Sequence, residues 1–119
     1  MDAFVRAYIE AALWSTNDES TPEGGEPLDE NYDLNDISTE TINAMTADCR
    51  KFQEQNADDL ANCTDEQGGY DFWLTRNRHG AGFWDRDYLG EDVKERLTEA
   101  SHAFGEENLY VGDDGKIYA

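Results

Sequence analysis

The sequence predicts an α+β fold in which two β-hairpins form an antiparallel sheet with about three helices packed on one side. Three observations lead there. Apolar residues recur at helical spacing over residues 3–14, 38–67 and 91–104. Residues 70–86, YDFWLTRNRHGAGFWDR, alternate apolar and polar side chains around a Gly-containing turn. The closing NLYVGDDGKIYA does the same around Asp113-Asp114-Gly115. The expected order is helix, loop, helix, hairpin, helix, hairpin, within one domain over residues 1–119.

Residues 3–14 place Phe4, Tyr8, Ala11 and Ala12 on one helical face with Val5, Ile9 and Leu13 beside it. The stretch from Asn17 to Asp36 then holds eight acids, no base, two Pro and a Gly-Gly pair, so neither helix nor strand propagates far through it. An acidic, partly disordered loop over 17–36 is expected, pinned by Leu28, Tyr32 and Leu34.

The second helix opens at Ser38, a favourable N-cap, with Ile37 and Ile42 as a hydrophobic staple. Ile42, Met45, Cys49, Phe52, Asn56, Leu60 and Cys63 then form a seam that ends before Gly68-Gly69. Tyr70, Phe72 and Leu74 alternate with Asp71, Trp73 and Thr75, and Asn77–Gly80 supplies turn chemistry before a returning strand. In the third helix Val93, Leu97, Ala100 and Phe104 face inward, with Gly105 as its stop. Sorting apolar from polar residues in the last hairpin pairs Val111 with Ile117 and Tyr110 with Tyr118.

Composition bounds the partners. A net charge of -19, from 28 acidic and nine basic residues, repels nucleic-acid backbones and anionic membranes, so cationic partners are expected. The N-terminus lacks a signal-peptide pattern, and no apolar run approaches the roughly 20 residues of a membrane span, which points to the cytoplasm. Cys49 and Cys63, read on one helix, lie too far apart for a disulfide and fit a reducing compartment.

The residues DFWLTRNRHGAGFWDRD and YVGDDGKIY resemble a family of small acidic proteins encoded by bacteriophages and prophages. Weaker similarity runs through ALW near the N-terminus, PLDENYDLNDIS and ADCRKFQEQN, covering most of the chain. The resemblance brings no functional residue with it. It implies a setting: the cytoplasm of a host bacterium, acting on host or phage machinery.

Two surfaces compete as the working site. In the 70–86 hairpin, Arg76, Arg78, His79 and Trp84 combine guanidinium groups that grip phosphate with rings that stack on bases, so they suit a small ligand, a nucleic acid or a protein partner. The bland reading is that the arginines neutralise nearby carboxylates and the rings fill the core. Asp71, Asp85 and Asp87 with His79 hold ligand types for a metal-dependent hydrolase, but at spacings that match no catalytic motif. No catalytic residue, metal or cofactor is expected. Asp113-Asp114-Gly115 lacks the alternating ligands of a calcium loop.

The charge is the stronger lead. Nineteen charges at one per about 1.7 Å correspond to roughly 32 Å of duplex. Residues 1–69 hold 17 acids and three bases, against 11 and six in residues 70–119. Glu40, Asp48, Glu54, Asp58 and Asp59, with the acidic loop, are therefore expected to form a binding face on the long helix. The expected function is a non-enzymatic DNA mimic that occludes a cationic cleft on a DNA-processing or anti-phage defence protein. Adaptation of an acidic surface to high salt is the alternative that needs no partner.

Overall fold

The computed structural model describes residues 1–20, 22 and 24–119. Five helices dominate the described residues: α1 (Ala3–Ser15), α2 (Thr39–Gln55), α3 (Ala57–Leu60), α4 (Asp65–Arg76) and α5 (Glu91–Ala103). Strands β1 (Asn17–Asp18) and β2 (Glu26–Pro27) pair antiparallel, as do β3 (Tyr110–Val111) and β4 (Ile117–Tyr118). The α+β class therefore holds, but among the described residues the two ladders stay separate and no layered sheet forms.

The main correction concerns residues 70–86. Tyr70–Arg76 belong to helix α4, and Phe83–Asp85 form a single 3-10 turn, so the expected hairpin does not exist. A capping box starts the helix: the Thr64 hydroxyl accepts from the Gln67 N–H at 3.1 Å, and the Gln67 side chain accepts from the Thr64 N–H at 2.9 Å. Residues 71–76 are all buried, so this C-terminal half of α4 is enclosed on every side and displays no helical period to read.

Gly68 and Gly69, expected to end the preceding helix, instead lie inside α4 and let α1 approach it. A Cβ on Gly69 would sit on the Phe4 carbonyl oxygen. The two backbones thus pack at a separation only glycine permits. Upstream, the long helix expected over 38–67 is broken at Asn56, whose backbone N–H and side-chain amide both donate to the Phe52 carbonyl. Cys49 is buried in α2 and Cys63 half-buried beyond α3, and both thiols are free.

The core is aromatic. Phe52 and Phe72 stack at 4.0 Å, Phe104 meets Phe72 edge-on at 5.1 Å, and Tyr8 meets Trp73 edge-on at 5.3 Å. Trp73 Nε1 donates to Ser15 Oγ at 2.8 Å, satisfying the one polar atom of a buried indole.

Other expectations hold. Ser38 caps α2 and Gly105, at φ 78°, follows α5. The last hairpin has the expected register, with Gly115 at φ 80°. It docks through Ile117, whose carbonyl accepts from the Ser38 N–H at 2.9 Å. Within 17–36, Leu28 is buried and its N–H donates to the Thr16 carbonyl at 2.9 Å, while 3-10 turns cover Leu28–Glu30 and Leu34–Asp36. Thr21 and Glu23, part of the expected disordered loop, lie outside the described residues. No helix among the described residues is long and apolar enough to cross a membrane.

Candidate functional site

Arg76, in the last turn of α4, is 4% exposed. Its Nε donates to the Gly105 carbonyl at 2.8 Å and Nη2 to the Phe104 carbonyl at 3.0 Å. Nη1 donates to the Tyr8 hydroxyl and to Asp48 Oδ2, both at 2.9 Å. The guanidinium lies 5.7 Å from the Phe72 and Phe104 ring centres. Its polar atoms are thus occupied by α1, α2 and the end of α5, where helix carbonyls favour a cation. Glu107 approaches to 3.7 Å, yet burial outweighs that attraction and raises its carboxyl above the ordinary range.

Of the other arginines expected to neutralise carboxylates, Arg86 does so at the surface of the core, whereas Arg78 enters no ion pair among the described residues; the largely exposed Arg96 forms a further pair. Arg86 grips the buried Asp71 through two hydrogen bonds of 2.6 and 2.9 Å, which joins the loop after the 3-10 turn to α4. Arg96 of α5 holds Asp59 of α3 through bonds of 2.8 and 2.9 Å, and these keep the Asp59 carboxyl below its ordinary range.

The residues of the alternative site therefore part company. Arg76 is internal, whereas Arg78 is exposed and takes a left-handed conformation at φ 56°. It closes α4 in a Schellman motif: its N–H donates to Thr75 O at 3.1 Å and that of His79 to Leu74 O at 3.0 Å. His79 is half-buried and turns into a polar cleft of about 470 Å³ that it shares with Asp18, Asn77, Glu106 and Tyr110. Trp84 is 47% exposed on the 3-10 turn. Phe83 beside it is buried, with its N–H held by Thr75 Oγ1 at 3.1 Å.

The five carboxylates of the expected acidic face also separate. Asp48 and Asp59 are committed to Arg76 and Arg96. Glu54, Asp58 and Asp59 converge with Arg96 around a shallow cleft at the junction of α2 and α3. Glu40 sits at the far end of α2 near the last hairpin, where the Tyr118 phenol is raised chiefly by its hydrogen bond to Asp114 and to a lesser degree by Glu40. Between Glu40 and Glu54 the exposed positions of α2 include Arg50 and Lys51 but no further acid.

Among the described residues, five carboxylates enter ion pairs, and four bases, Arg76, Arg86, Lys94 and Arg96, neutralise them. Exposed acids outside these pairs stand on α1 (Glu10), the 26–33 segment, α2, α3, the first turn of α4, α5 and the last hairpin. They cover the molecule rather than one helix. Asp71 is locked by Arg86, and burial raises both cysteine thiols. No group of three or more His, Cys, Asp and Glu is positioned to hold a metal ion among the described residues.

Sequence reasoning missed one surface. Trp14, 55% exposed, leans on Tyr70 with ring centres 6.2 Å apart. Its signal was present: Trp14 continues the outward stripe Arg6, Glu10 at steps of four along an otherwise buried helix. No protein-family model matches the chain, and neither the curated proteins nor the solved structures contain a match to it.

Proposed function

We propose that the protein is a non-enzymatic binder that presents carboxylates to a cationic, nucleic-acid-binding cleft of another protein. The observation that carries this is the division of charge. Arg76 is turned inward and Arg86 and Arg96 are held by carboxylates as structural counter-ions, which leaves a surface of acids with few opposing bases.

Shape adds support. The molecule measures 43 × 25 × 21 Å and carries a net charge of -19. A duplex as long as its 43 Å axis carries roughly 25 phosphate charges at one per about 1.7 Å, so the two densities are comparable. Held on helices, these carboxylates steer a basic partner inward and release its counter-ions as phosphates do. The bacteriophage setting and a defence or DNA-processing partner rest on the sequence resemblance alone.

The spread of acids over most elements also favours a second reading, a surface adapted to high salt without a dedicated partner. One experiment separates the two. Immobilised protein is exposed to bacterial lysate at low salt, and retained proteins are challenged with duplex DNA. Mimicry requires displacement by duplex and steep loss of binding with salt. It also requires loss of capture in a Glu40→Lys, Glu54→Lys, Asp58→Lys variant, which spares the ion-paired Asp48 and Asp59. Retained proteins indifferent to duplex would defeat the proposal.

A further inference from the structure

The groove beside Trp14 has a chemistry that the charge reading does not absorb. Its volume is about 710 Å³, and Leu13, Trp14, Leu34 and Tyr70 supply apolar surface. Glu10, Asp29 and Asp33 stand around it against one base, Arg6. None of these three acids enters an ion pair among the described residues.

Both parts of the groove point to one kind of occupant. An indole left more than half in water retains apolar area to bury, and Trp and Tyr are the rings that most often anchor protein interfaces. Tyr70 already backs Trp14, and Trp14 sits in the last turn of a helix whose inner face is packed against α4, so little ordering remains to be done on binding. The acidic border selects charge of the opposite sign and rejects anionic lipid surfaces.

We propose that this groove docks a cationic amphipathic segment of a partner protein, which inserts a bulky apolar side chain beside Trp14 and Leu34 and sets Lys or Arg against Glu10, Asp29 and Asp33. The groove is a second contact, distinct from the carboxylates of α2 and α3. Its apolar component resists salt that would dissolve a purely electrostatic complex.

The test uses the intact protein and two synthetic helical peptides of equal positive charge. One carries Leu and a single Phe along one face; the other carries Ser at the same positions. Amide and indole NMR shifts should move at Trp14 and Tyr70 with the Leu/Phe peptide, which should bind about tenfold more tightly than the Ser peptide. Trp14→Ala, and separately Leu34→Ser, should each weaken it by about tenfold. The Glu40, Glu54, Asp58 triple reversal should retain the preference for the Leu/Phe peptide even where it fails in the lysate experiment. Equal affinity for both peptides would overturn the proposal. So would Trp14→Ala binding within about twofold of the parent, or shifts centred on Trp84. Because Trp14 is largely exposed, unchanged circular dichroism of the variant confirms that folding is not the cause.

Discussion

The guanidinium of Arg76 and the carboxylate of Asp48 meet at 2.9 Å across 28 positions of chain. The sequence alone assigns each to a different external surface, one to an arginine site and the other to an acidic face. Paired, they serve neither. An anionic chain needs positive charge where its helices converge, and α4 delivers Arg76 to the place where α1, α2 and the end of α5 come together.

Arg76→Met should cost about 3 kcal/mol in urea unfolding, at the lower end of the range for breaking a buried pair because Asp48 keeps 34% of its side chain exposed. Asp48→Asn keeps a hydrogen-bond acceptor and should cost only about 1 kcal/mol. Arg76→Lys should resemble the Met variant more than the parent, since one ammonium cannot reproduce the geometry of the planar fork. Stability of all three equal to that of the parent would show that the cluster is not holding the helices.

Gly69→Ala should destabilise, reversing the usual gain of about 1 kcal/mol for that exchange within a helix. The new methyl would be driven into the Phe4 carbonyl, forcing α1 away from α4 at a cost of about 1–3 kcal/mol or more. Gly68→Ala meets only the edge of the Phe4 ring, at 2.9 Å, and should cost less. Thermal unfolding of both variants checks the order.

Arg78→Gly should stabilise by about 1 kcal/mol, because the left-handed conformation at φ 56° burdens any residue with a Cβ. Denaturant midpoints of the parent and variant read this directly. Should the variant also lose a binding activity, Arg78 is retained for contact at the expense of stability.

Glu107→Gln should raise the melting temperature at neutral pH. Burial raises the folded-state carboxyl above its ordinary value of 4.5, so the native state favours the protonated form. That contribution is fully present below the unfolded value and is lost as pH rises through the folded one. The variant's advantage should therefore be largest near pH 7 and disappear below about pH 4.5. Glu107 Oε1 is buried without a hydrogen-bond partner, so the ionised carboxylate is poorly compensated there, and the amide removes its charge. Melting curves across this pH range measure both the sign and the trend.

What could be read from the sequence was what local chemistry decides. Ser38, Gly105 and Asp113-Asp114-Gly115 mark a helix start, a helix end and a hairpin loop through their own side chains or the absence of one, and the structure has each in that role. Helix α4 escapes a reading by periodicity because residues 71–76 are buried on all sides and show no polar face, so Tyr70, Phe72 and Leu74 pass for a strand. Gly68-Gly69 strengthened the error, since a close approach and a helix stop use the same residue. The Thr64–Gln67 capping box was the available counter-signal.

The candidate surfaces were harder to read. Whether a carboxylate faces solvent or a guanidinium depends on partners 28 positions away for Asp48 and 37 for Asp59. Periodicity within a single helix does not contain that information.

The tight seam at Gly69 also bears on how the chain is made. Helix α1 is complete at Ser15, but the segment it must lie against ends at Arg76. At a synthesis rate of about 5–20 residues per second, the nascent chain carries an unpartnered apolar helix for roughly 3–12 s. Until α4 has left the ribosome, that helix lacks the neighbour it fits most closely, and the seam at Gly69 closes only once residues 1–76 are outside the exit tunnel.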